Sequence, residues 1–189
     1  MQKKIVLAVL VFGAGVAVAI VGSDLFKGDQ AVIHTRAMWK DVYRTPTGLV
    51  AGADVIALAR HESAVPGRIV GRGRDATPFT NNRFAIESVI KGNLTGRSIV
   101  VEQTGGRLPD GAIMDIDDGG PYEIGTRYLL FLKEGEDGMY FLINHQARYA
   151  LRGEALEGVD PTDEVIASFH GANADLAVED IRTRVEIMR

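Results

Sequence analysis

Between residues 84 and 143, four apolar runs of strand length alternate with glycine-rich breaks, and this pattern confines the chain to a small β-rich fold. The runs lie at 84–90, 98–102, 128–132 and 139–143. Each is too short to make a buried helix, and each is rich in β-branched or aromatic residues. The breaks between them carry glycine where chain reversal needs it: Gly92 and Gly96, Gly105 and Gly106, Gly119 and Gly120, Gly135 and Gly138. Twenty-two glycines in 189 residues fit a turn-rich β-domain rather than a helical one. The expectation is a mainly β chain with a small antiparallel β-domain at its centre.

A second feature sets the chain's location. Lys3 and Lys4 precede eighteen residues, 5–22, without a charge or a strongly polar group. As a helix these span ~27 Å, close to the ~30 Å of a bilayer core. A soluble helix would carry a polar face, and this one has none. The segment is read as a single-pass signal anchor, with the basic head holding the N-terminus in the cytoplasm and the rest of the chain outside. The alternative is cleavage after the Ala17-Val18-Ala19 motif, which would release a secreted protein. The absence of cysteine excludes disulfides, thiolate metal sites, cysteine nucleophiles and a lipoprotein cysteine. A net charge of −4 argues against broad nucleic-acid binding.

Four segments follow: the anchor or signal segment at 1–23, a juxtamembrane linker at 24–48, the β-domain at 49–152 and a helical segment at 153–189. Trp39 and Tyr43 are expected to cap the core, and 45–48 is read as a break. A first strand is expected at 55–59, a long loop with a strand extension at 62–80, and strands at 79–90, 97–103, 126–132, 139–144 and 147–151. Residues 107–120 read as a loop. Asp160 with Pro161 predicts one helix start, and Asn173 a second. Leu176, Ile181, Val185 and Met188 are expected on the packed face of the last helix.

No pattern of catalytic residues emerges. His34, His61, His145 and His170 are scattered without metal-ligand spacing. His61-Glu62-Ser63 are neighbours that would point to opposite faces of a strand. Asp115, Asp117 and Asp118 resemble a cation loop, but the glutamate position of an EF-hand falls on Thr126, so they carry only a weak Ca²⁺ reading. Arg68, Arg72 and Arg74, with Arg83, form the one basic cluster, suited to phosphate or carboxylate groups of an envelope polymer or lipid. No cofactor is expected.

The ordered motifs Ala53-Asp54-Val55-Ile56, Val89-Ile90-Lys91-Gly92, Val101 through Gly105-Gly106, Gly125 through Leu132, Tyr140-Phe141-Leu142 and Arg148-Tyr149-Ala150-Leu151 resemble a group of uncharacterised extracytoplasmic bacterial proteins. The arrangement is also similar to the OB-like barrel of netrin-like and metalloproteinase-inhibitor-like domains. The resemblance implies a closed or nearly closed five-stranded barrel. It does not carry the inhibitor mechanism, which needs an N-terminal cysteine that this chain lacks. The functional expectation is a non-enzymatic, membrane-anchored module that binds an envelope protein or anionic envelope polymer. The alternatives are an envelope hydrolase or metal-dependent enzyme using His61, His145 and the Asp115–Asp118 loop, and a purely structural module.

Overall fold

The computed structural model describes residues 32–35, 42–116, 119–135 and 138–189. The apolar segment 5–22, the Ala19 cleavage motif, Trp39, Asp117 and Asp118 lie outside the described residues. Among the described residues no helix is long and apolar enough to cross a membrane.

The fold is mainly β, with helices at its C-terminal end. β1 (Val32–Thr35) precedes α1 (Pro46–Gly52). β2 (Val55–Val70) and β3 (Thr77–Lys91) form one long antiparallel hairpin. Then come β4 (Ser98–Thr104), β5 (Gly106–Arg107), β6 (Ile113–Ile116), β7 (Arg127–Glu134) and β8 (Tyr140–Leu142). β9 (Arg148–Arg152) and β10 (Ala155–Gly158) lead to α2 (Glu164–Ala167) and α3 (Ala174–Ile187). The large sheet runs β10-β9-β7-β2-β3-β4-β8, and β8 pairs again with β7. Hydrogen bonding therefore passes from β7 through β2, β3, β4 and β8 back to β7. Most pairings are antiparallel; β4–β8 is parallel, as is β1–β6 in a small second sheet, β1-β6-β5.

The runs that are apolar on both faces mark strands buried on both faces. On β7, Tyr128 meets Phe84 and Tyr122, while Phe131 on the opposite face meets Tyr149 and Phe169. Phe169, Val165 and Ile166 close that second layer from α2 and the turn after it.

Five sequence expectations need correction. Residues 62–80 are not mainly loop: β2 and β3 extend through them as an arm. Pro66 and Gly67 coincide with a register shift between Pro66 and Ile69, so a bulge absorbs what reads as a break. Residues 45–48 begin a helix: the Thr45 hydroxyl accepts from Gly48 N at 3.0 Å, and Pro46 takes the first helical turn. Residues 107–120 contain β6, whose pairing partner β1 lies far away in sequence. At the C-terminus, Asp163 rather than Asp160 caps α2, since its carboxylate accepts from Val165 N and Ile166 N. Asn173 does cap α3. The packed face of α3 is Ala174, Ala177, Ile181 and Val185; Leu176 is 72% exposed and Met188 is also exposed.

Two polar contacts lock the frame. Lys91 Nζ donates to the carbonyls of Val50 (2.7 Å), Ala51 (3.0 Å) and Ala53 (2.6 Å), the open C-terminal end of α1. A cation there satisfies orphan carbonyls and opposes the negative end of the helix dipole. Burial draws Lys91 below the usual lysine range, partly offset by the Asp54 carboxylate. Next to it, Gly92 has φ +83°, and a Cβ would stand 2.4 Å from the Asp54 carbonyl oxygen, so the turn admits only glycine without a backbone shift.

The second contact is Gln146, which is fully buried. Its Oε1 accepts from Tyr43 N (3.0 Å) and Asn144 Nδ2 (2.9 Å), and its Nε2 donates to Tyr43 O and to the Asp163 carboxylate. One amide thus joins the entry to α1, the turn between β8 and β9, and the cap of α2.

Lys91→Met should lower unfolding free energy in urea by about 1–3 kcal/mol, the scale of a charge-assisted hydrogen-bond set. Gln146→Leu should cost at least about 2 kcal/mol by the same measurement, because it strands several buried polar groups. A loss below 0.5 kcal/mol, on the order expected of a neutral surface change, would show that either contact is dispensable.

Candidate functional site

Beyond Arg60, β2 leaves β7 but stays paired with β3, so from there to the tip of the arm the outer edge of β2 has no strand partner among the described residues, while β3 remains backed by β4 as far as Phe79. The tip is closed by a 3₁₀ turn at Gly73–Asp75. Gly71 makes that closure possible: its φ is +86°, and a Cβ would meet the Asp75 carbonyl at 2.3 Å. β3 stays paired with β4 almost to the tip, setting Phe79 opposite Thr104 and Asn81 opposite Glu102.

This pairing builds a cleft of about 270 Å³ from Arg68, Phe79, Glu102, Gln103, Thr104, Phe141 and Leu142. Arg68 Nη2 donates to Glu102 Oε2 at 2.7 Å, and its guanidinium lies 4.8 Å from the centre of the Phe79 ring. The pair is asymmetric: the Arg68 side chain is 60% exposed and that of Glu102 only 9%. Phe141 contributes an exposed ring from β8. The cleft offers two aromatic surfaces with hydrogen-bonding groups at their edges.

The predicted basic cluster is only partly assembled here. Arg68 belongs to the cleft. Arg72 and Arg74 sit at the tip, either side of Gly73. Arg83 is committed to Glu62 (3.3 Å) and Ser98 Oγ (2.8 Å). The acidic loop contributes Asp115, on β6 opposite His34 in register. It borders a second cleft of about 250 Å³ between the small sheet and the β3–β4 surface, where the buried Asn82 and the Tyr122 ring also lie.

The histidines have separate surroundings. His61 is 1% exposed, with its ring 5.0 Å from that of Phe84 and 5.7 Å from that of Tyr122. Its Nε2 is 3.0 Å from the Ser63 carbonyl, which makes Nε2 the protonated nitrogen, while Nδ1 has no hydrogen-bond partner. His145 stands 3.8 Å from the Asp163 carboxylate, and His170 Nδ1 accepts from Gly158 N. Among the described residues no three His, Asp or Glu side chains are grouped to hold a metal ion.

Sequence reading overlooked a third cleft, of about 210 Å³, containing Glu123, Arg148, Arg152 and Glu157. Arg148 is buried, donates to the carbonyls of Gly119 and Gly120, and stacks 4.6 Å over Tyr122. Arg152 bridges Glu123 and Glu157, with contacts of 2.6 and 3.0 Å. No local pattern marks these residues, because β9, β10 and the segment before β7 meet only in the folded chain.

In the comparison with known proteins, no family model matches the chain and neither does any curated protein.

Hydrogen bonding to Arg152, aided by its charge, holds the Glu123 carboxyl below the usual carboxylate range against a weaker opposing effect of desolvation. A carboxyl depressed in the folded state stabilises it above the unfolded pKa, and that contribution is lost as pH falls through the folded value. Glu123→Gln should therefore melt below the wild type at pH 7, with the gap closing as the pH drops below the ordinary value of 4.5. Melting curves between pH 7 and pH 3, roughly bracketing that range, check this; a gap that widens on acidification contradicts it.

Proposed function

We propose that this chain is a membrane-anchored, extracytoplasmic, non-enzymatic binding module of the cell envelope, built on an OB-like barrel. The circuit β7-β2-β3-β4-β8 supports the barrel reading, since it is a five-strand ring of the kind that the OB-like resemblance implies. Kinship with the extracytoplasmic group, the anchor at 1–23 and the linker at 24–48 form part of the same proposal and rest on the sequence.

The observation that carries the binding reading is the cleft of Arg68, Phe79, Glu102 and Phe141. OB folds bind oligosaccharides and oligonucleotides on the face of their second and third strands. In this chain those strands would be β3 and β4, which supply Phe79 and Glu102. The net charge disfavours a nucleic acid. The cleft suits the glycan strand of an envelope polymer: an aromatic ring packs against the apolar face of a sugar, and the Arg68–Glu102 pair meets its hydroxyl edge. Glu102 already neutralises Arg68, so a purely ionic partner would have to break that pair.

Co-sedimentation of the full chain with insoluble cell-wall glycan tests the proposal. The Phe79→Ala/Phe141→Ala double variant should bind at least tenfold more weakly, about 1.4 kcal/mol, with its melting temperature nearly unchanged. Phe141 alone is the safer variant if the pair disturbs folding, because it is exposed. Equal sedimentation of wild type and variants, or none by the wild type, would refute glycan binding at this cleft.

A further inference from the structure

We infer that the exposed edge and tip of the β2–β3 arm, Val65 and residues 69–75, form a second interaction surface beside the cleft that holds Arg68, and that this surface lies on an anionic lipid surface. Val65, Ile69 and Val70 are exposed on this arm, and Arg72 is exposed beside them. Both faces of β2 are open from Ala64 to Pro66 and from Arg68 to Val70. Exposed apolar groups along the outer edge of the hairpin and at its tip call for a partner.

The edge of the arm is poorly suited to strand addition. Pro66 lacks an amide proton, and the register shifts between His61 and Ser63 and between Pro66 and Ile69 break the ladder. With the arginines, these are the devices by which sheet edges resist pairing. The partner must therefore meet side chains rather than backbone.

Charge identifies its chemistry. Of the four arginines in residues 62–83, Arg68 is paired with Glu102 and Arg83 with Glu62, so the charge of the tip is that of Arg72 and Arg74 against Asp75, a net positive charge. This positive segment belongs to a chain of net charge −4. A second copy would present the same positive arm and be repelled. A folded protein partner would need a matching surface of roughly 800 Å², more than a two-stranded tip offers by itself. A lipid surface needs no such match. Valine and isoleucine side chains enter the boundary between headgroups and acyl chains, while arginine stems lie along it and place guanidinium groups among phosphates. The expected anchor at 5–22 would keep the domain near a bilayer, but the inference stands on the composition of the arm.

The chain has no cysteine, so one can be introduced as a unique labelling site. The full chain carrying Val70→Cys, labelled with an environment-sensitive fluorophore, would be placed in nanodiscs of phosphatidylcholine with or without phosphatidylglycerol. Leu176→Cys on α3 serves as the reference position. The expected result is a blue shift at position 70 that requires phosphatidylglycerol and is absent at position 176. Arg72→Gln/Arg74→Gln should weaken its dependence on anionic lipid by roughly fivefold per arginine removed. That variant should leave glycan sedimentation unchanged, which separates this surface from the cleft. The inference is overturned by no shift at position 70, by a shift of equal size without anionic lipid, or by a shift in lipid-free detergent that grows with protein concentration, which would identify a second copy as the occupant. Ile69→Cys repeats the test if the Val70 variant folds poorly.

Discussion

One edge of β7 has to serve two strands. Tyr128, Leu129 and Leu130 pair with β9, whereas Leu132, Lys133 and Glu134 pair with β8. The chain must therefore leave that edge and return to it within a few residues, and it does so through a 3₁₀ turn at His145–Ala147. A turn in such a place buries backbone and side-chain polar groups that water would otherwise satisfy. Asn144 and Gln146 supply the missing partners: Asn144 accepts from Gln146 N, and Gln146 reaches Tyr43 and Asp163. With the turn satisfied, β8 can meet both β4 and β7, and the hydrogen-bonded circuit closes.

A similar device acts where α1 and the end of β7 meet the start of β2 and the end of β3. Lys91 ties the end of β3 to α1, and Asp54, at the start of β2, accepts from Lys133 Nζ and Glu134 N at the end of β7. The motifs Ala53-Asp54-Val55-Ile56 and Val89-Ile90-Lys91-Gly92, far apart in the chain, meet at this point. Their meeting has a structural role, closure of one end of the sheet. The exposed surfaces of the arm and the cleft beside it lie elsewhere. There the strands leave the core, and side chains are released from packing duties.

Much of the strand content could be read from short periodic runs, because an apolar strand buried on both faces writes its burial directly into local sequence. The runs at 55–59 and 128–132 are examples. Helix caps were legible where the signal is local, as at Asn173. They misled where two aspartates competed: Asp160 lies before a proline and Asp163 does not, yet Asp163 lies within reach of Gln146 and caps α2. The arm was hidden because Pro66, Gly67, Gly71 and Gly73 are loop residues by composition, and only cross-strand pairing with 77–83 turns them into bulge and tip.

The sequence by itself determined a mainly β chain, its lack of cysteine chemistry and its uncharged apolar stretch at 5–22, since these depend on residue type and local spacing alone. Only the tertiary structure decided that Arg68 is held by Glu102 over Phe79, that His61 is packed among aromatic rings, and that Arg148 and Arg152 share a cleft with Glu123 and Glu157. Each of these rests on contacts between residues distant in the chain. Register and strand order create such contacts, and a hydrophobicity pattern records which face of a strand is buried without recording what lies across from it.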